Sequence, residues 1–246
     1  MNNDDTSVKP GLFIAIEGAD GSGKTSMTKY FTEKLHQLGF PVVRTRELGG
    51  TPVAEKLRDL ITGADPVTRT EVVDKHTRIL MVIASRIQHI KHVIKPGVIA
   101  GKIVVTDRCF DSTHVYQGVK DGLLPMLSML EGMSEISVVG ERPDYTIFLD
   151  VSPEVSMART AEHDAKGETM NVEGGLQERI ADINSYRERM AAAAMQKPGS
   201  IFVVNADGTE EEVKHSLDRF ALGLSLKRPE LTTIQMPAPV QEPTPA

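Results

Sequence analysis

The 246-residue chain has one cysteine, Cys109, so it can form no disulfide within itself. That suits a reducing compartment, and a cytoplasmic location is the expectation. Long apolar runs are missing too. None approaches the roughly 20 residues of a membrane span, so no membrane partner is expected. No block of Lys or Arg stands out, and the net charge is −6. This argues against duplex nucleic acid as the main ligand. It does not argue against a single nucleotide, because one cationic cleft leaves little trace in a net charge. The opening residues, MNNDDTSVKPG, are polar and acidic. They lack the basic start and apolar middle of a secretory signal.

What is present is more specific. Residues 18–25 read GADGSGKT: Gly18, Ala19, Asp20, Gly21, Ser22, Gly23, Lys24 and Thr25. An apolar run of strand character, LFIAIE, precedes them, and SMTKYFTEKLHQLG, with helical spacing, follows. A strand, a glycine-rich turn and a helix start form a phosphate cradle. The glycines let backbone N–H groups approach phosphate oxygens. Lys24 can reach the β- and γ-phosphates, and Thr25 can offer its hydroxyl to Mg²⁺.

The remaining pattern alternates strands with helices. Strands are expected at 12–17, 42–46, 103–106, 145–151 and 201–205. Helices are expected at about 24–38, from Pro52, at 70–95, over much of 111–140, at 153–165, at 176–195 and from Thr209 to about 227. Pro96-Gly97 should stop the 70–95 helix, unless one short turn continues it. Five strands interleaved with helices imply an α/β fold: a five-stranded parallel sheet with helices on both faces. Residues 1–10 read as a flexible leader and 11–228 as a single domain. Residues 229–246, with five prolines in 18 positions, read as a disordered tail.

Five further segments stand in order along the chain: TRELGGT (45–51), ASR (84–86), DRCFDST (107–113), YQG (116–118) and RPDYTIFLDVSPEV (142–155). With the 18–25 loop they make a set that resembles the thymidylate kinases over roughly residues 11–222. The resemblance implies a P-loop kinase fold with a mobile lid at about 159–175. The activity implied is transfer of the γ-phosphoryl of ATP to dTMP with Mg²⁺, by a homodimer joined through the long helix. It places the acceptor phosphate on Arg46, Arg86 and Arg108, and the sugar 3′-hydroxyl on Asp20. Ser112, Thr113, Tyr116 and Gln117 become base and sugar contacts, with Tyr116 crowding out a 2′-hydroxyl. Asp107 joins Thr25 at the metal. The 205–208 loop, Ala206 included, holds adenine through backbone groups.

Two departures from the family stand out. The 18–25 loop has no arginine, so transition-state charge should come from the lid. Yet only Arg159, His163 and Lys166 are basic there; Arg159 and Lys166 are the catalytic candidates beside Lys24 and Arg108. Members of the family commonly carry an aromatic four residues before the helix arginine, where it stacks on thymine. Here that position is Val82. A kinase for another, or a 5-modified, deoxypyrimidine monophosphate is therefore a neighbouring reading. A non-catalytic nucleotide switch is the alternative of a different class. The absence of an Asn-Lys-x-Asp guanine signature weighs against it.

Overall fold

The computed structural model describes residues 11–132, 142–165 and 175–227. The expected leader, the lid loop with Lys166, and the 229–246 tail lie outside the described residues. The elements run β1 (Leu12–Glu17), α1 (Lys24–Gln37), β2 (Val42–Arg46), α2 (Pro52–Thr62), α3 (Lys75–His89), α4 (Lys95–Ile99), β3 (Ile103–Asp107) and α5 (Phe110–Thr113). Then follow α6 (Leu124–Gly132), β4 (Tyr145–Asp150), α7 (Pro153–Ala165), α8 (Leu176–Gln196), β5 (Ile201–Asn205) and α9 (Glu210–Lys227).

The five strands form one all-parallel sheet in the order β2-β3-β1-β4-β5. Alternation along β1 explains the layering. Leu12, Ile14 and Ile16 point into one core with Met27, Phe31 and Leu35 of α1, Tyr186 of α8 and Leu217 of α9. Phe13 and Ala15 point into a second core with Ile79 and Ile83 of α3, Phe110, and Leu127 of α6. The strands are apolar on both faces because both faces are covered.

The third helix starts later than its apolar pattern suggests, at Lys75 instead of Thr70. Asp74 caps it, accepting from the N–H groups of His76 (2.9 Å) and Thr77 (3.4 Å). The cap decides the start, and the β-branched pair Val72-Val73 stays outside. At the other end the helix passes Pro96. Residues Ile90–Ile94 widen into a π-helical turn, in which the Lys95 N–H bonds to the Ile90 carbonyl. Proline has no N–H to lose, and α4 continues to Ile99. Gly97 lets α4 lie against β3, since a Cβ there would stand 2.6 Å from Val104 Cγ2.

The register pairs Ile16 with Asp107 and Arg46 with Asp107. The 18–25 loop, the 47–51 loop and the 107–113 segment therefore emerge together at the carboxyl edge of the sheet, where open α/β sheets bind ligands.

Candidate active site

The 18–25 loop is built on two glycines that no other residue could replace. Gly18 (φ 153°) and Gly21 (φ 77°) sit where a Cβ would be 2.7 Å from the Leu149 carbonyl oxygen and 2.4 Å from that of Ser156. Gly23 (φ 86°) opens α1 with nothing within 4 Å of its Cβ position. Lys24 Nζ donates to the Ala19 carbonyl (2.7 Å) and to Ser22 Oγ (3.5 Å). Burial, with Arg108 nearby, brings the Lys24 ammonium down to about 8. Thr25 Oγ1 donates to Asp107 Oδ2 at 2.7 Å, so the two metal candidates share one spot. A hydroxyl and a carboxylate are hard oxygen donors suited to Mg²⁺, which keeps its other positions for waters and phosphate oxygens. Among the described residues no cluster of three or more His, Cys, Asp or Glu offers a fuller cage.

Asp20 is the electrostatic hub. It pairs with Arg108, lies 3.9 Å from Lys24 and 3.8 Å from Arg179, and accepts from the Tyr116 hydroxyl at 3.4 Å. Burial alone would raise its pKa. Arg108, Lys24 and Arg179 outweigh burial and hold Asp20 well below the carboxylate range. Arg108 follows β3 in a left-handed conformation (φ 70°). Its N–H bonds to the Ile16 carbonyl at 3.0 Å, and Thr106 Oγ1 donates to its carbonyl at 3.0 Å. Its Nη1 donates to Ser112 Oγ (3.2 Å) and to Tyr186 Oη (3.3 Å). Behind them, Glu17 Oε2 accepts from Ser112 Oγ at 2.6 Å, and Oε1 accepts from the Cys109 N–H at 2.7 Å and the Ser112 N–H at 3.2 Å. Burial, seconded by Asp111, pushes the Glu17 carboxyl up to about 7.

A cleft of about 170 Å³ opens beside this hub. Arg108, Ser112 and Tyr116 line its near side, and Thr113 and Gln117 also face it. Leu48, Arg58 and Ile61 of the β2–α2 region and Val82 of α3 line it as well, with Glu47 and Cys109. Arg86 does not line the cleft. It is wholly buried behind it, paired with Glu47, bonded to Thr113 Oγ1, and donating to the Cys109 carbonyl at 3.3 Å. Arg46, at the end of β2, does not line the cleft either; it is half-exposed and donates to Glu55 Oε2 at 2.7 Å.

Arg159 of α7 is directed to the 206–208 loop. Its Nη1 donates to the Ala206 carbonyl (2.8 Å) and its Nη2 to that of Gly208 (3.1 Å). It braces the turn expected to hold adenine. Arg187 pairs with Asp150 and Arg189 with Asp111, so both are bound to partners within the fold.

Sequence reasoning passed over Glu17, Arg58, Arg179 and Tyr186. Glu17 had a visible signal, an acid closing a fully buried strand. Arg58 looked like a polar residue on an amphipathic helix. Arg179 and Tyr186 gave none, because their role depends on how α8 packs against segments far away in the chain.

Comparison with known proteins gives a consistent result. A family model described as Thymidylate kinase matches residues 16–217. The Thymidylate kinase of Pseudomonas fluorescens is 39% identical over 210 residues, covering 85% of this chain and 93% of that protein. That of Maridesulfovibrio salexigens is 37% identical over 203 residues, covering 82% and 91%. That of Syntrophotalea carbinolica is 36% identical over 207 residues, covering 84% and 93%.

Proposed function

The chain belongs to the thymidylate kinase family, and on that premise we propose that it converts ATP and dTMP into ADP and dTDP. An oxygen of the dTMP phosphate forms a bond to the γ-phosphorus of ATP, and the bond from that phosphorus to the β,γ-bridging oxygen breaks. The observation that carries the reading is the convergence of the phosphate loop, the Asp20–Arg108 hub and the cleft at one sheet edge. It leaves donor and acceptor phosphates one shared place to meet.

Such a reaction needs alignment and charge neutralisation more than covalent help. Lys24 neutralises the transferring group, and Arg108 holds the acceptor phosphate from the other side. Arg58, which lines the cleft, and Arg46 at the end of β2 add positive charge on the acceptor side. Asp20 takes the sugar 3′-hydroxyl, while Tyr116 stands against a 2′-hydroxyl. Thr25 and Asp107 would hold Mg²⁺, which when bound withdraws charge from the phosphate oxygens. Arg86, buried behind the cleft, acts by fixing Glu47 and Thr113. The Ala206 turn braced by Arg159 receives adenine.

The same reading includes a cytoplasmic homodimer. No described helix is long and apolar enough to cross a membrane. On α3, Leu80 is 49% exposed and shares a face with exposed Ala84 and half-buried Ile87; Val53 of α2 is 53% exposed. Apolar side chains repeated along one helix face suit burial against a second copy. Light scattering at micromolar concentration should give twice the monomer mass of 26.9 kDa. A mass that stays at the monomer value would reject the dimer.

The function itself is tested by ADP release with ATP and a panel of dTMP, dUMP, dCMP and UMP. dTMP should give a rate above the others, and UMP next to none. ADP release with no monophosphate would overturn the kinase reading.

A further inference from the structure

We propose that Ser156 of α7 is a positioning residue for phosphoryl transfer, holding the peptide between Asp20 and Gly21 so that the Gly21 N–H stays aimed for the donor phosphates. The inference rests on the kinase reading above and adds to it a residue from outside the 18–25 loop. Ser156 is wholly buried, and its Oγ donates to the Asp20 carbonyl at 2.6 Å, across 136 residues of chain. A serine or threonine inside a helix commonly bonds back to a carbonyl one turn earlier. Thr160 does so, donating to the Ser156 carbonyl at 2.7 Å. Ser156 gives its proton to the phosphate loop instead.

The two segments lie flush. A Cβ on Gly21 would stand 2.4 Å from the Ser156 carbonyl oxygen and 3.0 Å from Thr160 Oγ1. Gly21, at φ 77°, takes either sign of φ at little cost, so the loop's own sequence leaves this peptide free to turn. The partners of the Asp20 side chain, Arg108, Lys24 and Arg179, hold its carboxylate, whereas its carbonyl is held from α7. The Asp20–Gly21 peptide is trans and planar, so its C=O and N–H point in opposite directions. A carbonyl fixed toward α7 turns the Gly21 N–H away from it. The α7 side of the loop is filled by the helix, and the opposite side is the one left for a phosphate. Arg159, three residues further on, bonds to the 206–208 loop, so α7 also ties the phosphate loop to the turn proposed for adenine. When the bond to the β,γ-bridging oxygen breaks, negative charge grows on the donor side. An N–H already aimed there stabilises that charge with no reorganisation at the moment of reaction. The effect of Ser156 therefore belongs to the chemical step.

The test measures the single-turnover rate of dTDP formation, with enzyme in excess and ATP and Mg²⁺ saturating, in the parent and in Ser156→Ala. The substitution removes the hydroxyl and keeps the packing of the helix. The rate should fall about five- to tenfold, the worth of one such hydrogen bond. KM for ATP and for dTMP should stay within about twofold of the parent. A single-turnover rate constant does not depend on the folded fraction, so partial unfolding cannot imitate the loss. A rate within about twofold of the parent, with only the urea midpoint lowered, would show that Ser156 supports packing alone and would overturn the inference. So would a loss that falls on KM and leaves the rate intact. If Ser156→Ala does not fold, Ser156→Cys keeps a weaker donor at the same place and should lose at least about threefold; an undiminished rate there overturns the inference as well. A parent that forms no dTDP would strike the kinase reading, and the inference with it.

Discussion

The two walls of the active-site cleft are built on opposite principles. On the phosphate side the charged groups are tied together: Lys24, Arg108 and Arg179 converge on Asp20, and Asp107 accepts from the Thr25 hydroxyl. On the base side, Glu47 Oε2 and Arg86 Nη1 are buried without a hydrogen-bond partner, and aliphatic Leu48, Ile61 and Val82 line the cleft together with Arg58 and Glu47. Phosphates therefore enter a network that already holds its charges at fixed places, and they compete for donors that the protein supplies to itself. The base enters a space shaped by side-chain size, with polar atoms to spare. Substitutions on the first wall should move kcat; substitutions on the second should move the choice of substrate.

The largest effect belongs to Lys24. Its ammonium is held by the Ala19 carbonyl, and in the proposed reaction it neutralises the transferring phosphoryl. Loss of one such preorganised donor costs on the order of 10²–10³ in kcat. Lys24→Ala should fall by at least that much in steady-state ADP release, with its circular dichroism unchanged. Wild-type kcat in the variant would remove the phosphate wall from the chemistry.

Next comes the arginine that the phosphate loop lacks. Lys166 is the basic residue within the lid loop's sequence, whereas Arg179 in the first turn of α8 is buried 3.8 Å from Asp20. Arg179→Ala should lower kcat by about 10–10²-fold, and Lys166→Ala by less, with KM for dTMP little changed in either. The opposite ranking would move the transition-state charge out of α8 and into the lid loop.

Which of these features a sequence can reveal follows from locality. The strands were legible because each is a short apolar run bounded by turn residues. The phosphate loop was legible because its glycines, Lys24 and Thr25 are contiguous. The start of α3 was misjudged by five residues, since Val72 and Val73 extend an apolar pattern that the Asp74 cap cuts off. Arg86 was expected to hold the acceptor phosphate, but it does not line the cleft, and its burial behind Glu47 depends on the loop after β2, some 39 residues earlier. Tyr186 meets Arg108 across 78 residues, and no local pattern encodes a contact of that span.

Tyr186 also gives a smaller prediction. Its hydroxyl bridges Arg108 and Ser112, holding the arginine from α8 (3.3 Å and 2.8 Å). Tyr186→Phe keeps the packing and deletes the bridge, which is worth roughly 1 kcal/mol, or about fivefold. That loss should fall on kcat/KM for dTMP and leave KM for ATP alone. Equal effects on both nucleotides would mean that Tyr186 supports only the general packing.

The smallest kinetic effect is expected at Glu17, yet its signature in stability is distinct. Glu17 is fully buried and touches no reacting group; it secures the 109–112 turn through Cys109 and Ser112. Burial, with Asp111 second, raises it from 4.5 to about 7. Between those values the native protein binds the proton more tightly than the unfolded chain does, so unfolding free energy falls as pH rises. The contribution is complete below about pH 4.5 and gone above about pH 7, and a shift of this size amounts to roughly 3 kcal/mol at most. Gln in its place has the same shape and stays neutral, and its carbonyl oxygen can still accept from the two N–H groups. Urea unfolding of the parent should therefore weaken between pH 5 and pH 8, and Glu17→Gln should weaken less over the same interval. Turnover of the variant at pH 8 should stay within a few-fold of the parent. Parallel pH curves for the two proteins would show Glu17 to be ionised throughout. The phosphate wall would then rest on a permanent negative charge beneath Arg108, instead of on a carboxyl whose charge is gained near neutral pH.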